Sequence, residues 1–186
     1  MRREDIPNLI SILRIFLSIP VIWMLLEQQF TIALVLFAVA GISDGLDGYL
    51  AKHYGWESRL GGLLDPLADK VLLVSSYLSL AVIGAIPVWL VLLVILRDLV
   101  IVTGALIYNF RIKQLDAEPS MLSKFNTLVQ IVLVLAVVLD MGVLNLPIWI
   151  TGGLIWLVLV TTLASGINYV WVWSRLAASH GDNEKS

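Results

Sequence analysis

Apolar residues are gathered into six long runs, at positions 6–26, 31–51, 61–84, 87–110, 122–143 and 147–172. Each run approaches the ~20 residues that a helix needs to cross a bilayer. The links between them are short, and positions 84–87 leave barely a turn. Pro87 and Pro147 suit the first turn of a helix, where no amide donor is needed. The pattern predicts an all-α, polytopic membrane bundle of six transmembrane helices over 1–175, followed by a polar, frayed tail at 176–186. It shows no internal repeat and no second domain.

Composition agrees with this pattern. Hydrophobic residues make up 59% of the 186 positions and charged residues 14%, against about a quarter charged in soluble domains. There is no cysteine, so a disulfide, a thiolate nucleophile or a cysteine-ligated zinc site within the chain is excluded. The first apolar run has no small-residue cleavage site after it, which predicts a retained helix instead of a signal peptide.

Charge position sets the expected orientation. With the N-terminus cytoplasmic, Arg2, Arg3, Lys52, Arg59, Arg111, Lys113, Lys124, Arg175 and Lys185 all fall on one side. The opposite loops hold Glu27 and Asp140 but no lysine or arginine. This asymmetry predicts both termini in the cytoplasm. The absence of an arginine-rich leader in these residues favours a bacterial inner membrane over a mitochondrial one. Arg14, Lys70 and Arg97 lie inside the predicted spans.

The candidate chemistry is a set of four aspartates within 26 residues of an otherwise apolar sequence. Asp44 and Asp47 are three apart at the end of the second run, and Asp65 and Asp69 are four apart at the start of the third. Both spacings place a pair on one helix face, and the short link allows the two helix ends to be neighbours. An aspartate at the centre of a membrane helix costs ~2.5–3.5 kcal/mol on insertion scales. Like charges in a cluster add repulsion. Hard divalent cations, two ions of Mg²⁺ or Mn²⁺, would neutralise such a cluster and share it with substrate phosphates. Gly45, Gly48, Gly55, Gly61 and Gly62 punctuate the segment and permit close approach of a ligand. A single aspartate near a helix end is most often a cap, and glycines in membrane helices are most often packing contacts. Four aspartates at helical spacings on adjacent spans are not accounted for in that way. Intramembrane aspartates also build cation transporters, but those line a path across the bilayer, whereas these gather at one end beside Lys52 and Arg59.

The segment from Asp44 to Asp69, DGLDGYLAKHYGWESRLGGLLDPLAD, resembles the signature of the CDP-alcohol phosphatidyltransferases, D-x2-D-G-x2-A-R-x8-G-x3-D-x3-D. Every position matches except that Lys52 stands where the family has arginine, which loses the planar two-pronged donor. Asn8, Ser11 and Arg14 form an N-x2-[ST]-x2-R pattern that extends the likeness toward the N-terminus. The resemblance implies a transferase acting on a CDP-linked lipid, normally CDP-diacylglycerol, with release of CMP. It implies Asp44, Asp47, Asp65 and Asp69 as metal ligands, with Asp69 also the general base. Gly48, Ala51, Lys52 and Gly61 would line the nucleotide pocket. It further implies a homodimer among membrane lipids and no nucleic-acid partner.

The acceptor alcohol would be read by residues outside this segment: Arg97, Lys124, Asn126, Arg14 and Asn8. Each basic residue has a plainer role. Arg97 would pair with Asp98 or another carboxylate, Lys124 would anchor a cytoplasmic helix end, and Arg14 would pair with an aspartate. His53 is expected to be solvated. The phosphatidylglycerophosphate synthases of this family, which bind the dianion glycerol 3-phosphate, tend to carry more basic groups at the fourth and fifth spans. Here Arg97-Asp98 is followed by the uncharged LVIVTGAL, and the fifth span opens with S-K-x-N-T-x2-Q, ending at Gln130. This resembles the CMP-forming cardiolipin synthase branch, whose acceptor is phosphatidylglycerol, a monoanion. Glycerol 3-phosphate is the alternative acceptor.

Overall fold

A computed structural model describes the backbone of residues 5–54, 61–111 and 120–183, and the side chains of 9–46, 53–54, 65, 67–104 and 120–171. Those residues form six α-helices and no strand: α1 (Asp5–Leu26), α2 (Phe30–Tyr54), α3 (Gly61–Val82), α4 (Val88–Arg111), α5 (Met121–Gly142) and α6 (Ile148–Asn183). Helices α4 and α6 begin one residue after Pro87 and Pro147. Helix α6 runs past the end of the expected span at 172, and through most of the polar segment expected to fray, as far as Asn183. Within α1, α5 and α6, the stretches Leu9–Leu26, Met121–Gly142 and Ile148–Trp171 are long and apolar enough to cross a membrane, and α2 adds a shorter apolar stretch at Phe30–Leu46.

The helices end where their sequences supply the means. At the end of α1, Gln28 takes a left-handed φ of 57°. The amide of Gln29 then bonds the carbonyl of Met24 at 2.8 Å, and that of Gln28 bonds Leu25 at 3.1 Å. Gly84 repeats the arrangement after α3 with φ 77°, the Ala85 amide reaching Leu80 at 2.8 Å. Both are Schellman caps, which satisfy carbonyls that a helix end leaves open. After α5, the carboxylate of Asp140 accepts from the amide of Leu146 at 2.7 Å.

The chain divides into two compact units. The first comprises residues 1–88 and 134–148 and the second residues 89–133 and 149–186. In the first unit α1 packs against both α2 and α3. The buried stripe of α1 is Ser11, Arg14, Ser18, Val21 and Leu25, the three-and-four spacing of one helix face. Leu9, Leu13, Phe16, Ile19 and Trp23 point outward. Helix α2 buries Phe30, Ala33, Phe37 and Ala40, and α3 buries Ala68, Leu72, Ser76, Tyr77 and Leu80. The second unit follows the same rule. Helix α5 buries Ser123, Asn126, Gln130 and Leu133, and α6 buries Val158, Thr161, Thr162 and Ser165, while Trp149, Trp156, Val160 and Ile167 are exposed.

Large apolar side chains also cover the outside of the described helices, while serines, threonines and two arginines sit among the buried leucines, valines and phenylalanines. An apolar solvent would suit such an outside, because lipid accepts exposed leucines and only protein can satisfy buried hydroxyls. Helix backbone does much of that: Ser18 donates to the Ile15 carbonyl at 2.6 Å, Ser76 to Leu72 at 2.6 Å and Ser79 to Ser75 at 2.9 Å.

One glycine shows how closely the first unit is packed. A Cβ built on Gly142 would lie 2.7 Å from Cβ of Phe30 and 3.2 Å from the backbone of Phe30 and Thr31. Gly142→Ala is expected to destabilise the fold by ~1–3 kcal/mol, the usual cost of overpacking. The check is the midpoint of unfolding in a denaturing detergent. Gly153→Ala is the control: a Cβ there meets nothing within 4 Å, so the midpoint should hold or rise.

Candidate functional site

The aspartate cluster is built by the packing of α1 on α2 and α3. Asp44 lies four residues beyond Ala40, continuing the inward stripe of α2, and Asp65 and Asp69 head the inward face of α3. On α1, the residues facing them are Ser11 and Arg14. One guanidinium nitrogen of Arg14, Nη1, lies 2.6 Å from Oδ1 of Asp44 and 2.5 Å from Oδ1 of Asp69. The hydroxyl of Ser11 donates to Oδ1 of Asp65. Three carboxylates from two helices thus converge on consecutive inward positions of a third.

Exposure is unequal across this cluster. The Arg14 side chain is 1% exposed, while those of Asp44 and Asp69 are 47% and 51% exposed. The arginine therefore approaches from the packed interior, and the carboxylates keep an open side. A Cβ at Gly45, the residue after Asp44, would meet nothing within 4 Å.

The donor set fits a hard divalent cation. Carboxylate oxygens are its preferred ligands, and a positive group already bridges two of them. Among the described residues no three acidic or histidine side chains are arranged as a metal cluster. Arg14 occupies the place between Asp44 and Asp69, and Ser11 engages Asp65. Asp47, Gly48, Ala51, Lys52, Gly61 and Asn8 lie outside the residues whose side chains are described. His53 is exposed, its ring edge-on to Tyr54 with centroids 5.0 Å apart.

The second unit holds a separate polar centre. Arg97 on α4 is buried, with Nη1 2.8 Å from the carboxylate of its neighbour Asp98. Its Nη2 donates to Ser123 on α5 at 2.6 Å and to Ser165 on α6 at 2.5 Å. The Tyr169 ring centroid lies 5.9 Å from the guanidinium carbon, close enough for cation–π attraction. One turn along α5, the buried Asn126 accepts through Oδ1 from Thr161 at 2.8 Å and Thr162 at 3.0 Å. Lys124 is exposed on α5 and takes no described part in this network.

The structure thus brings Arg14 together with Asp44 and Asp69, and it brings Arg97 together with Asp98, as the plainer reading of each arginine expected. The roles of Ser11, Ser123, Thr161, Thr162 and Ser165 were not among the sequence expectations. Their signal was present, because Ser11 precedes Arg14 by three, and Thr161 and Ser165 are four apart in an apolar helix.

Comparison with known proteins extends this picture. The model of the CDP-alcohol phosphatidyltransferase family matches residues 4–164, and the chain belongs to that family. Among its relatives, the cardiolipin synthase (CMP-forming) of Rattus norvegicus is 37% identical over 147 residues, covering 70% of this chain and 49% of the relative. The probable cardiolipin synthase (CMP-forming) of Drosophila melanogaster is 33% identical, covering 89% and 56%. The CDP-diacylglycerol–glycerol-3-phosphate 3-phosphatidyltransferase of Aquifex aeolicus (strain VF5) is 34% identical, covering 76% and 77%. The chain spans about half the length of the cardiolipin synthases it matches.

The Arg97 network carries its own prediction. Removing one partner of a buried, hydrogen-bonded charge pair leaves the other uncompensated, at a cost of ~3–5 kcal/mol. Arg97→Ala should destabilise the fold by an amount of that order, read as a lower unfolding midpoint, and Arg97→Lys by less. Loss of turnover with an unchanged midpoint would instead mark Arg97 as a substrate contact.

Proposed function

We propose that this chain transfers a phosphatidyl group from CDP-diacylglycerol to a hydroxyl of phosphatidylglycerol, releasing CMP and forming cardiolipin. The observation that carries the reading is the meeting of Asp44 and Asp69 at Arg14, with Asp65 bonded to Ser11 one turn away on α1, within a segment that matches the family signature. Asp44, Asp47, Asp65 and Asp69 would hold Mg²⁺ or Mn²⁺, two ions in all. When bound, those ions supply charge neutralisation for the pyrophosphate and for the CMP that leaves.

The remaining work falls to the chain's own residues. Phosphoryl transfer is mostly positioning, and the packing of α1 on α2 and α3 brings the carboxylates together. Asp69 takes the proton of the acceptor hydroxyl as that oxygen bonds to the lipid-side phosphorus. The bond from phosphorus to the CMP oxygen breaks, and CMP carries away the electron pair. Gly48, Ala51, Lys52 and Gly61 would form the nucleotide pocket beside the aspartates.

The acceptor assignment is supported by the uncharged stretch after Arg97 and Asp98, since a dianion would call for further cationic groups. Arg97 commits three of its five N–H donors to Asp98, Ser123 and Ser165, and its Nε is buried with no hydrogen-bond partner. A monoanionic lipid acceptor needs fewer cationic groups, and it can enter laterally from the bilayer. The second reading, a glycerol-3-phosphate acceptor, is favoured by the Aquifex aeolicus relative, which matches this chain over similar shares of both lengths. In either case the charge asymmetry supports six spans with the termini and the aspartate cluster on the cytoplasmic side, and the family supports a homodimer.

The deciding assay supplies the purified protein with Mn²⁺ or Mg²⁺, CDP-diacylglycerol and one acceptor at a time. CMP and cardiolipin should appear with phosphatidylglycerol. CMP release with glycerol 3-phosphate alone would replace this reading with the second. In the same assay Asp69→Asn should lose turnover by ~10²–10⁴-fold, the usual contribution of a positioned base, while retaining part of its CDP-lipid binding. Near-normal turnover would remove Asp69 from that role.

A further inference from the structure

The position of Arg14 has a consequence beyond the reaction. Its Nη1 touches one oxygen of Asp44 and one of Asp69, so the separation of those oxygens cannot exceed the sum of the two contacts. The carboxylates belong to different helices. Arg14 therefore does for α2 and α3 what a bridging cation would do: it ties them together and offsets their repulsion. A guanidinium brings a single positive charge to two carboxylates, so its neutralisation is incomplete where that of a divalent ion is not.

The approach directions are opposed as well. Arg14 is packed inside against α2 and α3, whereas about half of each carboxylate faces outward. An ion arriving from the open side meets oxygens already held from behind. We infer that Arg14 is a resident counter-cation that competes with the divalent ion for Oδ1 of Asp44 and Oδ1 of Asp69. The inference rests on the metal reading of the aspartate cluster. Arg14 keeps the three helices assembled before loading, and it gives up at least part of this pairing when the ion binds. By linkage each cation weakens the other by the same factor. A group that only supported the ligands from behind would strengthen metal binding instead.

The test uses the purified full chain and Mn²⁺ alone, with free Mn²⁺ read by electron paramagnetic resonance and stability read as the unfolding midpoint in chelator. Arg14→Gln should bind Mn²⁺ at least ~5-fold more tightly, the lower end of usual coupling strengths. Its midpoint in chelator should fall by several degrees and recover with Mn²⁺. Arg14→Lys, which keeps the charge but loses the fork, should lie between wild type and Arg14→Gln in both measurements. If Arg14→Gln folds only with metal, it is prepared in Mn²⁺ and its affinity is measured by chelator competition. Unchanged or weaker Mn²⁺ binding in Arg14→Gln, with wild-type binding abolished by Asp44→Asn, overturns the competition and leaves the metal site standing. Mn²⁺ binding that survives Asp44→Asn overturns the metal reading, and the competition with it.

Discussion

Charge in a helix that borders lipid must be answered by charge or by hydrogen bonds from protein, because the surroundings supply neither. In the first unit that answer is one nitrogen of Arg14, shared between Asp44 and Asp69. The rest of the unit is arranged around it. Helix α1 has to lie between α2 and α3, and its inward stripe has to begin polar and end apolar. Ser11, Arg14 and Ser18 therefore sit at the aspartate end, and Val21 and Leu25 lie farther along. A shift of one residue along α1 would turn Arg14 off this face and leave the carboxylates without their partner. Ion pairing thereby sets the helix register that apolar contacts alone would leave loosely specified, as buried polar groups do in other helical assemblies.

The second unit solves the same problem with different chemistry. Arg97 is answered by the adjacent Asp98 and by two hydroxyls from α5 and α6. Three helices are joined at one guanidinium, and Asn126 joins two of them again through Thr161 and Thr162. Serine and threonine suit this work because they can return their protons to their own helix backbone or lend them to a neighbour. Thr161 contacts both the carbonyl of Leu157 at 2.9 Å and Asn126 at 2.8 Å.

Helix existence was legible in the sequence because apolar run length and short polar links leave few alternatives. Prolines 87 and 147 placed the starts of α4 and α6 to within a residue. The extension of α6 to Asn183 was not legible: polar composition at 176–186 reads as fraying, yet alanine and serine in that stretch do not forbid a helix. In the candidate site, spacing alone put Asp44 with Asp47, and Asp65 with Asp69, each pair on one helix face. It did not say which partner Arg14 would choose, because a helical period gives the face of a residue but not the neighbour opposite. Arg97 illustrates the same gap. Its pairing with Asp98 was open to a reader of the sequence, but Ser165 lies 68 positions away, and only the packing of α4, α5 and α6 brings it near.

The two arginines differ in a way that separates structure from chemistry. Arg97 and its partner carboxylate are both nearly covered, at 5% and 13% exposure. Exchange there would require charges to part with nothing to replace them. Arg14 is equally covered, but its partners stand about half open. Those carboxylates can turn toward an incoming cation without becoming bare, and Arg14 can relax because the new ion assumes its electrostatic role. A permanent pair is therefore expected where both members are buried, and an exchangeable one where a single member is. On that criterion the proposed uptake of charged ligands belongs to the cluster on α2 and α3, and the Arg97 network joins α4, α5 and α6 through pairs that are closed to exchange.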